Sequence, residues 1–334
     1  MMTYHVYGIG NALVDMEFET TEAFFKEKGI EKGLMTLIEK DQQEELLSSL
    51  EKQFGLKKRA SGGSAANTIV AVSQFGGNTF YACKVADDEP GDFYMKDLSN
   101  AGVETKLADV KDEGVTGKCM VMVTDDAERT MNTYLGITTD FSIKDLHIEE
   151  LKNSEYLYIE GYLVTSDVSR NAAVHARKIA NENNVKTAFT FSDPAMVTYF
   201  KEGVTEIIGD GVDVLFCNDE EAQTFTGKES LNDAISELQK IAKKVVVTLG
   251  AKGARVITGE NIVDIEASPV TARDTNGAGD MFAGAFMYGL TQGMSDRDAG
   301  MLASESAARL VATFGARLEK EVQQAILRKY IAES

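Results

Sequence analysis

The chain has 334 residues and a formal net charge of −19 at pH 7, with 43% hydrophobic and 26% charged residues. This length suffices for one large α/β domain or for two smaller ones. Such an acidic surface repels nucleic acids and anionic membranes, so neither is expected as a partner. An anionic substrate would need a local binding device, such as a helix N-terminus, a metal ion or a few arginines.

The N-terminus and the cysteines predict a cytoplasmic protein. MMTYHVYGIGNALVD lacks the charged start and apolar stretch of a signal peptide, and no apolar run of about 18 residues predicts a transmembrane helix. Cys83, Cys119 and Cys217 are far apart and odd in number, which favours buried, reduced thiols. The three histidines are equally scattered, so no zinc site is predicted.

Short apolar runs alternate with amphipathic segments along most of the chain. The runs predict strands at 6–10, 79–85, 156–164, 186–191, 212–217 and 244–249. Helical patterns lie near 64–75, 90–101, 167–182, 196–208, 231–242, 280–291, 296–312 and 319–331. This alternation indicates a mainly parallel central sheet covered by helices on both faces.

Two segments break the alternation. Residues 13–38 resemble strands with little crossover helix, and residues 117–135 predict a β-hairpin that turns at Asp125-Asp126. We interpret residues 13–38 and 113–137 as a small β-sheet lid, inserted into an α/β core of residues 1–12, 39–112 and 138–334. A lid excludes water from a site and completes it on closing.

The segment RDTNGAGDMFAGAF, 273–286, predicts an anion site. Residues 276–279 place bare backbone before a predicted helix, where free N–H groups and the helix dipole attract negative charge. Asp280 then lies in the first helical turn beside the bound anion, where a carboxylate can accept a proton from an attacking hydroxyl. The alternative is an ordinary helix start with an acidic cap.

Two earlier segments predict contacts with ligand hydroxyl groups. In ASGGSAANTIVAVSQFGG, 60–77, Gly62 and Gly63 permit close approach of a ligand, and Asn67 can donate and accept hydrogen bonds. In GNALVDMEFE, 10–19, Asp15 can accept hydrogen bonds from two neighbouring hydroxyls. A tight strand-to-helix turn and a strand-end aspartate are the alternatives.

Two later segments have equally ordinary alternatives. In DVLFCNDEEAQTF, 213–225, Glu221 can hold Mg²⁺ through water, but Asn218 with Glu221 three residues later is also a capping box. In VVVTLGAKGARVIT, 245–258, Gly250 and Gly253 can let a nucleotide lie against the loop, or form a simple hairpin.

Two nucleotide-binding motifs are not supported. No GxxxxGK[ST] phosphate loop occurs in the sequence. Gly8 and Gly10 follow a predicted strand, but Leu13 stands at the third glycine position of a dinucleotide fingerprint.

The ordered set of GGSAAN, NDEE, TLGAKG and DTNGAGD resembles the ribokinase or pfkB family of carbohydrate and nucleoside kinases. The resemblance covers nearly the whole chain. GNALVD, SGGSAAN, GYLVT, FSDPAMV, DVLFCNDEEA and DTNGAGD are most similar to the adenosine kinase branch. The resemblance implies a ribokinase-like three-layer α/β/α core with a mainly parallel sheet and a small β-sheet lid.

The resemblance also implies an ATP-dependent kinase with Mg²⁺, and roles for residues at matching positions. Asp280 matches the catalytic base, Gly277, Ala278 and Gly279 match the anion hole, and Arg129 matches a lid arginine that reaches phosphate. The substrate positions are Asn11, Asp15, Gly62, Gly63 and Asn67. The ATP positions are Asn218, Glu221, Thr248, Gly250, Gly253 and Asn276. Asn218 and Glu221 match the motif that governs Mg²⁺, and Asp274 fits a monovalent-cation site, K⁺ among the candidates.

The acceptor is expected to be a nucleoside phosphorylated at its ribose 5′-hydroxyl, or a sugar. Apolar LMTLI and MNTYLGI favour a flat base. However, residues 33–38 lack a glutamine that animal-type adenosine kinases carry, and Thr133 stands where a smaller residue is expected. A nicotinamide-dependent dehydrogenase built on VYGIGN and a non-catalytic nucleoside-binding protein are the distant alternatives. Both a monomer and a homodimer are compatible with the sequence.

Overall fold

The structure is a computed structural model that describes residues 4–107, 112–126 and 128–331. Its strands are β1 (Tyr4–Ile9), β2 (Leu13–Glu19), β3 (Met35–Leu37), β4 (Lys58–Gly62), β5 (Thr79–Ala82), β6 (Thr116–Val123), β7 (Arg129–Gly136), β8 (Ser154–Ile159), β9 (Lys186–Thr190), β10 (Val212–Asn218), β11 (Ala242–Thr248), β12 (Ala254–Thr258) and β13 (Asn261–Ile265).

The helices are α1 (Glu22–Lys28), α2 (Lys40–Gln53), α3 (Ser64–Phe75), α4 (Glu89–Asn100), α5 (Ile148–Lys152), α6 (Asp167–Glu182), α7 (Pro194–Tyr199), α8 (Lys201–Ile208), α9 (Asp219–Thr226), α10 (Leu231–Leu238), α11 (Ala278–Thr291), α12 (Asp296–Val311) and α13 (Lys320–Ile331). In the described residues, no helix is long and apolar enough to cross a membrane.

Eight strands form the central sheet in the order β13-β12-β11-β10-β9-β8-β1-β5. Six of them, from β11 to β5, run parallel, and β12 and β13 pair antiparallel at one edge. Alternate strand residues face opposite layers: Val6 and Phe216 pack with α3 and α11 to α13, whereas Tyr7 and Leu215 pack with α6 to α10. The predicted three-layer α/β/α core with a mainly parallel sheet is therefore confirmed.

Five strands form the second sheet in the order β3-β7-β6-β2-β4. The predicted hairpin corresponds to β6 and β7. Two predictions are wrong here. β4 belongs to this sheet although it lies in the segment 39–112 assigned to the core, because it pairs antiparallel with β2. Residues 13–38 also contain a helix, α1, because Thr21 caps its start, Gly29 ends it in the left-handed region, and Phe24 is buried.

Three predicted core elements differ from the structure. The strand predicted at 156–164 ends at Ile159, and a 3-10 helix follows at Gly161–Thr165. At Gly161 a Cβ atom would lie 2.5 Å from the Phe191 carbonyl oxygen, so the chain turns against the next strand's end. The helix predicted at 196–208 is divided, because Phe200 leaves the helical conformation. The helix predicted at 231–242 ends at Leu238, because β11 begins at Ala242.

Close packing of α3 against α11 brings two of the glycine-rich segments together. A Cβ atom at Gly284 would lie 2.6 Å from Cβ of Ala71 and 2.7 Å from the Thr68 carbonyl oxygen. Only glycine therefore allows this approach between the helices. Cys83, Cys119 and Cys217 are free and buried, as predicted.

Candidate active site

The segment 273–279 forms a loop that leads into the N-terminus of α11. Gly277 has φ +72°, and a Cβ atom there would lie 2.6 Å from the Ala316 carbonyl oxygen. Glycine is therefore required for the backbone to enter the helix at this angle. Gly279 has no heavy atom within 4 Å of an added Cβ, which leaves open space above the first turn. An anion can approach the helix N-terminus through this space.

Asp274 stabilises this loop from below. Its carboxylate is fully buried and accepts hydrogen bonds from the backbone N–H groups of Asn276 and Gly315, both at 2.8 Å. Asn276 also accepts a 3.0 Å hydrogen bond from Nη1 of Arg129, which reaches over from β7 of the lid. The predicted Arg129 and Asn276 positions are thus brought together. This arrangement gives no support to a monovalent cation at Asp274.

Asp280 is the carboxylate nearest to the open turn of α11. Its Oδ1 accepts a 2.6 Å hydrogen bond from the Ser64 hydroxyl, and its Oδ2 accepts a 3.1 Å hydrogen bond from Nδ2 of Asn67. Burial raises the pKa of Asp280, while these two donors and the charges of Arg129 and Arg317 oppose the rise. Such a carboxylate is oriented for proton transfer, and both donors come from the first two turns of α3.

Asp15 on β2 and Asn11 line the same cavity as Asp280. Burial and the neighbouring Glu17 raise the pKa of Asp15 to about 8. The two glycines predicted to admit a ligand also allow these two residues to approach closely. A Cβ atom at Gly62 would lie 2.0 Å from Cγ of Asp15, and one at Gly63 would lie 2.3 Å from the Asn11 carbonyl oxygen. Of the two glycines, Gly63 lines the cavity.

Glu160 is a site residue that we did not predict. It lies directly after β8, is fully buried, and accepts hydrogen bonds from the backbone N–H groups of Ala65 at 2.7 Å and Asn11 at 3.1 Å. Burial raises the pKa of Glu160 to about 7. It therefore ties the start of α3 to the end of β1. The only sequence signal is an acidic residue within the apolar run YLYIEGYLV.

These residues surround a first cavity between the two sheets. Its polar lining includes Asn11, Asp15, Asn67, Glu160, Tyr162 and Asp280. Of the side chains that the lid contributes, Asp15 and Arg129 are ionisable and Thr133 is polar, and the others are apolar: Leu13, Met35, Leu37, Cys119, Met131 and Leu135. A molecule bound here would meet both hydrogen-bonding groups and apolar surface.

A second cavity lies on the other side of the α11 N-terminus. It is lined by Thr248, Gly250, Gly253 and residues of the 267–272 loop, with Phe282 and α12 behind them. The two cavities share Thr275, Ala278 and Gly279. The loop of the β11–β12 hairpin, predicted as part of a nucleotide site, therefore lies near the turn that begins α11.

Asn218 and Glu221 form the capping box of α9. The Glu221 backbone N–H donates to Oδ1 of Asn218 at 2.7 Å, and the Asn218 N–H donates to Oε2 of Glu221 at 2.8 Å. Burial raises the pKa of Glu221 to about 7. Neither residue lines the two cavities. Asn218 lies beside Thr248 in the register of β10 and β11, so the box adjoins the second cavity.

The comparisons with known proteins agree with this geometry. Residues 34–322 match the model of the family described as pfkB family carbohydrate kinase. The chain is 27% identical over 311 residues to the adenosine kinase of Saccharomyces cerevisiae, which covers 87% of this chain and 90% of that protein. It is 29% identical over 254 residues to probable fructokinase-2 of Arabidopsis thaliana, covering 72% and 74% of the two chains.

Solved structures show the same fold over nearly the whole chain. The adenosine kinase from Sinorhizobium meliloti superposes with a TM-score of 0.91 at 34% identity, covering 98% of this chain and 99% of that chain. The probable sugar kinase from Rhizobium etli gives a TM-score of 0.91 at 30% identity and the same coverage.

These matches leave the dehydrogenase interpretation of VYGIGN without support. Kinases of this family use ATP, typically with Mg²⁺, and transfer a phosphoryl group to a hydroxyl acceptor. The chain is therefore a ribokinase-like phosphotransferase that belongs to the pfkB family of carbohydrate kinases.

Proposed function

We propose that this chain transfers the γ-phosphoryl group of ATP to the ribose 5′-hydroxyl of a nucleoside. The observation that carries the proposal is the meeting of two cavities at the N-terminus of α11, with Asp280 lining the first. ATP occupies the second cavity with its terminal phosphate at residues 277–279. The acceptor occupies the first cavity with its hydroxyl beside Asp280.

Asp280 is the general base in this proposal. Its carboxylate is held by Ser64 and Asn67 and accepts the proton of the attacking hydroxyl as the oxygen–phosphorus bond forms. The N–H groups at the start of α11 stabilise negative charge on the transferred group. Arg129, which lies beside Asn276 at the loop, adds positive charge from the lid. Water is excluded when the lid lies over the acceptor.

The few carboxylates near the second cavity fit a magnesium ion whose ligands are mostly waters and substrate phosphates. The described residues contain no cluster of three or more His, Cys, Asp or Glu side chains that could hold a metal. Mg²⁺ keeps several waters and binds substrate phosphates through one or two carboxylates, and Glu221 is the candidate through water. When bound, Mg²⁺ supplies positive charge to the phosphate oxygens.

The shape of the first cavity supports a nucleoside. Asp15, Asn11 and Asn67 provide acceptors and donors for ribose hydroxyls. Most of the lid side chains in the lining are apolar, and Leu37 among them is 46% exposed, which leaves apolar surface for a flat base to cover. The S. meliloti adenosine kinase has the same fold at 34% identity.

A sugar acceptor is the second candidate. The polar groups of Asp15, Asn11 and Asn67 could bind a free sugar without any contact to a base. The relatives include probable fructokinases and 5-dehydro-2-deoxygluconokinases. A sugar would leave the apolar lid surface uncovered. The apolar lining therefore favours the nucleoside.

The test is ADP release from Mg-ATP with adenosine, inosine, guanosine, cytidine, ribose, fructose and fructose 6-phosphate as acceptors. Turnover with one nucleoside and none with free sugars is expected. Turnover with sugars alone would contradict the nucleoside assignment.

Asp280→Asn should lower turnover roughly 10²- to 10⁴-fold while ATP binding survives. The exposed Asp233→Asn on α10 is the control. Near-normal turnover of Asp280→Asn would remove Asp280 from the base role.

A further inference from the structure

Arg317 lies between α12 and α13, far in sequence from every residue it contacts. Its Nε donates a 2.9 Å hydrogen bond to Oδ1 of Asn67. Its Nη1 donates to the Ser61 hydroxyl at 3.0 Å and to Oδ2 of Asp97 at 3.1 Å, and its Nη2 donates to the Ser61 carbonyl oxygen. The side chain is 11% exposed. These contacts hold the guanidinium plane in one orientation.

The contact with Arg317 determines which way the Asn67 amide faces. A guanidinium group has donors and no acceptor, so only the oxygen of the amide can face it. The Nδ2 group of Asn67 must then face away from Arg317, toward Oδ2 of Asp280 at 3.1 Å. Without Arg317, the amide could turn and present its oxygen to the carboxylate, which would remove the donor from Asp280.

We propose that Arg317 is a positioning residue for phosphoryl transfer. It fixes the Asn67 amide so that Nδ2 of Asn67 donates to the Asp280 carboxylate, holds it in place and favours its ionised form. This rests on the proposed role of Asp280 as base. Arg317 acts through Asn67 and does not itself line the acceptor cavity. Ser61 and Asp97 anchor it, so strand β4 and helix α4 contribute to the position of a carboxylate on α11.

The charges and hydrogen bonds around Asp280 determine its pKa, and the anchored Arg317 contributes to both. Burial raises the pKa of Asp280, and the hydrogen bonds and arginine charges lower it. The other charged or titratable groups that act on it are Asp15, Arg129, Tyr158, Glu160 and Tyr162. Loss of the Asn67 donor and of the Arg317 charge both raise the pKa of Asp280. The base is then protonated over a wider range of pH.

The test compares the pH profiles of kcat for the wild type, Arg317→Ala and Arg317→Lys, with Mg-ATP and the acceptor that the panel identifies. We expect Arg317→Ala to lower kcat roughly 10- to 100-fold and to move the acidic limb to higher pH. Arg317→Lys should recover part of both, because it keeps the charge and one donor. Arg309→Ala, on the exposed face of α12, is the matched control.

Two measurements separate positioning from a structural role. The first is the melting temperature and ATP affinity of each variant: equal loss of kcat at every pH with a lowered melting temperature would overturn the proposal. The second is the Asn67→Ala background, in which Arg317→Ala should lower kcat by no more than about twofold and move the acidic limb only by the smaller shift that loss of the Arg317 charge causes. A loss of kcat there as large as in the wild-type background would mean that Arg317 does not act through Asn67, and would also overturn the proposal.

The two hypotheses fail in different ways. If Asp280→Asn keeps normal turnover, the base assignment is wrong whatever the Arg317 variants do. If Asp280→Asn is inactive but Arg317→Ala has wild-type kcat and acidic limb, the base assignment survives and the positioning role is wrong.

Discussion

The hydroxyl of Ser64 lies 2.6 Å from Oδ1 of Asp280, although 216 residues separate them in sequence. Ser64 is the first residue of α3, and Asp280 lies in the first turn of α11. The two helices therefore begin close together, where the two cavities meet. The proposed base is held by the start of the neighbouring helix.

Ser64→Ala should lower kcat more at low pH than at high pH. The Ser64 hydrogen bond lowers the pKa of Asp280, so its loss raises that pKa and keeps the carboxylate protonated to a higher pH than in the wild type. We expect kcat to fall about tenfold near neutrality and to recover as the pH rises. The pH profile of kcat is the measurement, with the exposed Ser236→Ala as control. A loss that is the same at every pH would contradict this account.

Asp15→Asn should weaken acceptor binding and stabilise the fold. The pKa of Asp15 in the folded protein is about 8, above that of an unfolded aspartate, so the folded state binds the proton more tightly. The contribution of Asp15 to the free energy of unfolding is thus greatest at low pH and falls as the pH rises from about 4 to about 8. Asparagine has no titrating carboxyl group, so the free energy of unfolding of the variant does not fall in this way as the pH rises. The variant also gives up one acceptor for substrate hydroxyls.

The free energy of unfolding of Asp15→Asn should exceed that of the wild type by little near pH 5 and by on the order of a few kcal/mol near pH 8. Melting temperatures measured at the two pH values check this. The KM of the variant for the acceptor should be higher than that of the wild type. Asp233→Asn, which is exposed, should show no such pH dependence. A stability difference that shrinks with rising pH would show that the carboxyl group is not buried uncharged.

Gly279→Ala and Gly284→Ala should separate chemistry from packing on one helix. Gly279 lines both cavities with no atom near an added Cβ, so its variant should fold normally but lose roughly 100-fold in kcat as the methyl group enters the phosphate position. Gly284→Ala would press on Ala71 at 2.6 Å and should cost about 1–3 kcal/mol of stability. Similar melting temperatures for the two variants would refute this distinction.

Glu221→Gln should separate the two interpretations of the capping box. Glutamine at this position can still accept the Asn218 N–H, so the melting temperature should change little. If the carboxylate also acts on Mg²⁺ through water, the Mg²⁺ concentration for half-maximal activity should rise severalfold. In that case the wild type should also need more Mg²⁺ below neutrality, because burial raises the pKa of Glu221 to about 7. Unchanged Mg²⁺ dependence would leave Glu221 as a helix cap alone.

Local signals predicted much of the fold. Helices α3 and α6 have the predicted bounds, because Gly63 and Gly76 flank one and Ser166 caps the other. The strand at 156–164 was predicted too long, since an apolar run does not show where the chain turns against a neighbour. β4 is polar, and only its pairing with β2 makes it a strand of the lid.

The site was predictable wherever a residue carries its chemistry in a short motif. Asp280, Asn67 and Asp15 line one cavity as their motifs suggested. Glu160 and Arg317 were not found, because their partners lie 95 to 256 residues away and no local pattern marks them. The close approach of Asp15 to Gly62 and of the Asn11 backbone to Gly63 was not predicted, because it depends on tertiary packing.

The two cavities share three residues, and of the two only the first takes side chains from the lid. If the proposed roles hold, substitutions of the apolar lid side chains would change what is phosphorylated and leave the turn at the start of α11 intact. Proteins with this arrangement could then diverge toward new acceptors by altering one wall of one cavity.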